Sequence, residues 1–164
     1  MNNIVLCGFM GCGKSTVGQI LAQMTGRAFV DTDQLIESNE NMTISQIFEK
    51  IGEKGFRDAE HTACKEAANM QNAVISTGGG ALTFERNVAV FNEDKIVFLD
   101  VPFDEICRRI GDDGNRPLFK DKSKAKELFD TRIALYRTAA HYVIDGMGNK
   151  NEIANRILTI LKEG

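Results

Sequence analysis

The sequence predicts an α/β fold in which a mainly parallel sheet is covered on both faces by helices. Two observations carry that expectation. Short runs rich in β-branched and aromatic residues recur at Ile4–Cys7, Ala28–Asp31, Ala73–Ser76, Lys95–Asp100 and Tyr142–Asp145, as strands do. Helical spacing fills the intervals: Val17, Ile20, Leu21 and Met24 fall on one face, as do Ile44, Ile47, Phe48 and Ile51, and later Ile153, Ile157, Ile160 and Leu161. Strands alternating with helices are joined by right-handed crossovers, which run the strands in parallel and lay helices on the sheet. A chain of 164 residues has room for one core, so a single domain spanning 1–164 is expected.

Ligands of such sheets gather beyond the carboxyl ends of the strands, so the residues after each strand are the candidates for chemistry. The first strand runs into GFMGCGKS, Gly8 to Ser15, which has the G-x-x-x-x-G-K-[ST] spacing and is followed at once by an amphipathic helix. Gly8, Gly11 and Gly13 let the backbone curl until successive amides face phosphate oxygens, and the helix adds its partly positive N-terminus. Lys14 then supplies a full charge to the β- and γ-phosphates, and the Ser15 hydroxyl suits Mg²⁺. A plain strand-to-helix turn does not require three glycines, a lysine and a hydroxyl at these offsets. ATP-type binding follows, although hydrolases, transporters and kinases share the loop.

The second strand ends in FVDTD. If the chain stays extended, Asp31 and Asp33 share a face, and one carboxylate can serve the water shell of Mg²⁺ while the other accepts a hydrogen bond from an acceptor hydroxyl. The alternative is an acidic turn in which Asp33 caps a helix starting at Gln34. From Thr43 to Met70 the sequence carries two helical patterns where one crossover helix suffices, which predicts a substrate-holding insertion at about 32–70. Arg57 lies there with Glu53 and Glu60 at i−4 and i+3. It suits bidentate capture of a carboxylate, and a surface ion-pair ladder accounts for the same spacing.

After the third strand come Thr77 and the glycines Gly78, Gly79 and Gly80. Three ordered glycines in a row cost entropy, which predicts a close approach to that backbone. Beyond the fourth strand lie Arg108 and Arg109, and then a segment from Gly111 to Lys126 that is poor in apolar residues and reads as a loop, with a lid at about 111–124. It carries Arg116, and an arginine on a lid can neutralise charge on a phosphoryl group in transfer. The lysines from Lys120 to Lys126 read as a solvated face. Arg132 follows in DTRIALY.

The net charge of −3 argues against a general nucleic-acid surface. No run approaches a membrane span, and Ile4–Cys7 is too short for a signal core. A cytoplasmic monomer with no nucleic-acid or membrane partner is expected. Cys7, Cys12, Cys64 and Cys107 are widely spaced and read as reduced apolar fillers.

With GFMGCGKST, FVDTD, the GE…FR..E segment at Gly52 to Glu60, STGGGA, RPLF and R…LY at Arg132 to Tyr136 in order, the chain resembles the shikimate kinases over essentially its full length. The resemblance implies a three-layer α/β/α sandwich of the P-loop NTPase type, with a five-stranded parallel sheet, a substrate-binding helical region and a lid. It also implies ATP and Mg²⁺ as cofactors and transfer of the γ-phosphoryl group to the 3-hydroxyl of shikimate. Within that pattern Asp33 meets the shikimate hydroxyls, Arg57 and Arg132 grip its carboxylate, and the Gly79 amide touches it. The segment Gly11, Cys12, Gly13, Lys14, Ser15 and Thr16 encloses the phosphates, and Arg116 reaches them from the lid. Ser15 and Asp31 serve Mg²⁺, the latter through water, and Arg108 or Arg109 flanks the adenine. Lys95–Asp100 looks like a metal-binding Walker B strand, but the resemblance aligns that role with AVISTGGG, where Ser76 replaces the acid, so Asp100 is set aside. The rival readings are a related kinase of another small acceptor such as gluconate, and a regulatory module that binds nucleotide without transfer.

Overall fold

Five strands, β1 (Ile4–Cys7), β2 (Ala28–Asp31), β3 (Ala73–Ser76), β4 (Lys95–Asp100) and β5 (Tyr142–Asp145), form one sheet in the order β2-β3-β1-β4-β5 in a computed structural model that describes residues 2–111 and 121–163. Every pairing is parallel, with Val5 level with Ile75 on one side and Ile96 on the other. All five strands begin and end where the β-rich runs predict. Each residue of β1 and β3 is buried. Because successive side chains point to opposite faces, that pattern requires cover on both sides. The chain supplies it with α1 (Lys14–Thr25), α2 (Thr32–Glu40), α3 (Ile44–Asn69), α4 (Glu85–Val90), α5 (Phe103–Ile110), α6 (Lys122–Ala139) and α7 (Lys150–Glu163).

The strand order places a crossover reversal at β1, where the chain leaves first toward β2 and β3 and later toward β4 and β5. A crevice opens above the strand ends at such a point, and the glycine-rich loop lies there.

The helical segment after β2 has its own small core. Ile36, Ile47, Phe56 and Ala63 form a cluster separate from the main one. Ile36 and Ile47 are fully buried, each contributing about 2 kcal/mol relative to exposure. Within α3, Gly52 adopts φ 72°, ψ −177°, which breaks the helix into the two periodic stretches seen in the sequence. Only a residue without Cβ takes that conformation readily. Phe48 and Phe56 stack across the break with ring centroids 4.6 Å apart.

Two expectations are corrected. The helix after β2 is capped by Asp31, not Asp33: Asp31 Oδ1 accepts from the amides of Asp33 (2.9 Å) and Gln34 (3.3 Å). The chain turns helical at Thr32, so Asp33 lies in the first helical turn and the extended i, i+2 relation does not hold. The loop expected to run to Lys126 is overtaken by α6. Asp121 accepts a hydrogen bond from the Lys124 amide, and Ala125 is buried, so capping and packing together start the helix at Lys122. Among the described residues no helix is long and apolar enough to cross a membrane.

Candidate active site

The loop between β1 and α1 curls through left-handed backbone at Gly11 (φ 80°) and Gly13 (φ 94°), conformations that side chains other than glycine rarely tolerate. Lys14 folds back over the loop, donating to the carbonyls of Gly8 (2.7 Å) and Phe9 (3.3 Å). Its ammonium is thereby fixed against the curl. Ser15 lies in the first turn of α1, and its hydroxyl donates to Asp31 Oδ2 at 3.2 Å. A hydroxyl and a carboxylate in contact at the mouth of a phosphate loop offer the hard oxygen donors that Mg²⁺ takes, with phosphates and water completing the shell. Cys12 is buried, and its thiol lies 3.7 Å from Lys14 Nζ.

A cleft of about 450 Å³ opens from this loop, bordered by Lys14, Asp31, Asp33, Ser76, Gly78 and Gly79. Asp33 stands at its inner wall. Burial, the neighbouring Asp31 and then Glu60 push its carboxyl up to about 6, against a partial pull from Lys14. Asp33 remains largely ionised at neutral pH.

Two glycines of the run after β3, Gly78 and Gly80, have a steric explanation. A Cβ on Gly78 would fall 2.5 Å from Asp33 Oδ1, and one on Gly80 would fall 2.7 Å from Arg57 Nη1 and 3.1 Å from Arg132 Nη2. The close approach that the sequence predicts is therefore made by the chain's own charged side chains, which α2, α3 and α6 bring to one strip of bare backbone. The strip is held from below: the Gly78 amide donates to the buried Thr32 hydroxyl (3.0 Å), Tyr136 donates its phenol hydrogen to the Gly79 carbonyl, and Asn87 Nδ2 donates to the Ala81 carbonyl (2.8 Å). Burial pushes the Tyr136 phenol well above its ordinary value, so it stays a donor.

Arg57 is held on several sides. Its Nη1 donates to the buried Glu60 at 2.9 Å, and its guanidinium lies 5.1 Å and 5.0 Å from the ring centres of Phe56 and Phe84. Glu53 reaches only 4.0 Å from Nε and is itself exposed, and Nε is buried without a hydrogen bond. Burial raises Glu60 more than Arg57 lowers it. The surface-ladder reading of this segment is thus displaced by a buried pair. Arg132 lies 5.9 Å from the Phe9 ring centre.

Asp33, Arg57, Gly79 and Arg132 are thus brought together beside Gly11, Cys12, Gly13, Lys14, Ser15, Thr16 and Asp31. Of the paired candidates on α5, Arg109 borders the cleft, donating to the carbonyls of Cys12 (3.2 Å) and Gly146 (3.1 Å). Arg108 turns outward, with its side chain 73% exposed and bonded to Glu105. Arg116 and the rest of RPLF lie outside the described residues. Asp100 pairs with Arg137 at 3.2 Å and does not line the cleft. Sequence reasoning missed Lys150, which also borders the cleft; no motif marks it, and only its place at the start of α7 beside a strand end hints at it.

The fold and the cleft together define a P-loop phosphotransferase, in which a nucleotide loop opens directly onto a pocket for a second, anionic ligand. A family model described as shikimate kinase matches residues 10–162. A shikimate kinase of Helicobacter hepaticus is 43% identical over 161 residues, covering 96% of this chain and 95% of the relative. The solved shikimate kinase of Acinetobacter baumannii, in complex with shikimate, superposes with a TM-score of 0.93 at 38% identity, covering 99% of this chain and 94% of that one. That of Aquifex aeolicus gives 0.88 at 36% identity, covering 98% and 96%. The chain belongs to the shikimate kinase family. Kinases of this family use ATP with Mg²⁺, and the oxygen donors at the loop mouth fit that pair.

Proposed function

We propose that this chain transfers the γ-phosphoryl group of ATP to the 3-hydroxyl of shikimate, giving shikimate 3-phosphate and ADP within aromatic amino acid biosynthesis. One observation carries the residue assignment: two guanidinium groups and a carboxylate from three helices converge on Gly78–Gly80 at the open end of a phosphate loop. Two arginines side by side suit a planar carboxylate, and the buried Arg57 Nε has a donor to spare. Asp33 stands between that grip and the loop, where it accepts the hydrogen bond of the attacking hydroxyl and aims it at the γ-phosphorus. Lys14 neutralises charge on the transferred group, and Arg116 does so from the lid expected ahead of α6. Ser15 and Asp31, in contact at the loop mouth, would hold Mg²⁺, Asp31 through water, and the ion would supply neutralisation of phosphate charge. The Gly79 amide faces the substrate, and the helical region at about 32–70 carries Asp33 and Arg57 as one packed unit.

Positioning and charge neutralisation supply most of the acceleration in such a site. The net charge of −3 supports a reading without a nucleic-acid partner, and the chain is read as a cytoplasmic monomer. The deciding assay follows ADP formation with no acceptor, with shikimate and with gluconate. ADP release should require shikimate. Release that is indifferent to acceptor, or faster with gluconate, overturns the assignment.

A further inference from the structure

Lys150 is placed against its local electrostatics. It opens α7, where the helix dipole disfavours a cation, and its ammonium comes within 2.5 Å of where a Cβ on Gly13 would lie, at the N-terminus of α1. Arg109 is its neighbour in the cleft, so two helix N-termini and two cations face one another. Among the described residues, Lys150 makes no hydrogen bond or ion pair. Glu105, the nearby acid, is occupied by Arg108 (2.5 Å) and Arg109 (3.1 Å). Burial and then Arg109 hold the lysine below its usual pKa. Such a cluster is relieved by an anion.

The geometry points to Lys150 as a binding residue for the α-phosphate of the nucleotide, the phosphate farthest from the acceptor. The cleft has a direction that fixes this order. Asp33 feels the charge of Lys14, whose ammonium lies over Gly8 and Phe9 on the acceptor side. Lys150 sits across Gly13, on the side of Arg109, where its charge is felt by Cys12 and Glu105. A polyphosphate running over the loop from the acceptor end meets Lys14 first and Lys150 last. Arg109, bonded to the Cys12 and Gly146 carbonyls, ties the loop to the turn that precedes α7 and so fixes the spacing between the two lysines.

The inference rests on the nucleotide reading of this cleft, and calorimetric titration separates the two. Wild-type protein, Lys150→Met and Lys150→Arg are titrated with ADP, AMP and adenosine, and each ligand-free protein is melted. Lys150→Met should weaken ADP and AMP alike by about tenfold and leave adenosine unchanged, with Lys150→Arg close to wild type. The ligand-free melting temperature of Lys150→Met should equal or exceed that of the wild type, because an unfavourable charge is removed. Equal ADP affinity in Lys150→Met and wild type overturns the inference while the nucleotide site stands. Loss confined to ADP, loss extending to adenosine, or a lowered melting temperature also overturns it, showing a β-phosphate, packing or structural role respectively. Failure of the wild-type protein to bind ADP overturns the nucleotide reading itself, and this inference with it.

Discussion

The two ends of the cleft are built by opposite means. The phosphate end is centred on one contiguous stretch, Gly8 to Thr16, whose recognition groups are backbone amides, Lys14 and the Ser15 hydroxyl, with Arg109 and Lys150 added at its far side. The acceptor end takes Asp33 from α2, Arg57 from α3 and Arg132 from α6 and gathers them on the glycines after β3. Local chain geometry shapes the first. The second exists only when helices far apart in sequence are docked, and glycine appears there because charged side chains occupy the space a Cβ would take. The difference teaches that a glycine run can mark crowding by the protein itself as well as approach by a ligand.

The largest effects should separate the two ends cleanly. Asp33→Asn should lower turnover by about 10³-fold, within the range for loss of a proton acceptor, while ADP affinity measured by calorimetry stays within twofold. A parallel loss of ADP binding would show that the ends are not independent. Arg57→Ala should lower kcat/KM for shikimate by about 10²- to 10³-fold, and Arg57→Lys should not restore it, because an ammonium cannot reproduce the planar fork.

Gly80→Ala is a sharper probe. The backbone at Gly80 (φ −97°, ψ −6°) accepts alanine, so the protein should fold and bind ADP normally. The new methyl must displace the tips of Arg57 and Arg132, and kcat/KM for shikimate should fall by about 10²-fold. Wild-type kinetics in Gly80→Ala would refute the crowding account of the glycine run.

The pH dependence follows from Asp33. Its carboxyl titrates near 6 in the folded protein, against an ordinary 3.8, so kcat/KM for shikimate should fall as pH drops below about 6. The stability effect has the opposite sense. The folded state holds this proton more tightly than the unfolded chain, so the stabilisation is complete below 3.8 and lost as pH rises through about 6. Asp33→Asn should therefore be more stable than wild type at pH 7, by about 1–3 kcal/mol in denaturant melts, and the gap should close toward pH 4. The smallest effect is expected for Tyr136→Phe. Removing the hydrogen bond to the Gly79 carbonyl should cost about 1 kcal/mol in denaturant melts and raise KM for shikimate a few-fold, leaving ADP affinity unchanged.

Much of this was legible in the residues alone. The alternation of β-rich runs and helical spacing fixes all five strands, because strand and helix periodicity are local properties of the chain. The phosphate loop is legible for the same reason: curl, charge and hydroxyl are encoded within eight consecutive residues. The residues around Arg57 were not. Their spacing fits a solvent-exposed ladder equally well, and only the packing of α3 against the turn after β3 buries Glu60 and turns the arginine inward. The choice between Arg108 and Arg109 is likewise set by the direction α5 faces, and Lys150 enters the cleft only because α7 starts beside the loop.

The sequence by itself determined the α/β class, the strand positions and the nucleotide loop, since each depends on interactions within a few residues. Tertiary structure alone decided that Asp33 faces the cleft, that the two arginines meet over Gly80, and that Arg109 and Lys150 flank the loop. Those outcomes depend on where whole helices dock on the sheet, and docking follows from burial of apolar faces summed over the domain rather than from any short run of residues.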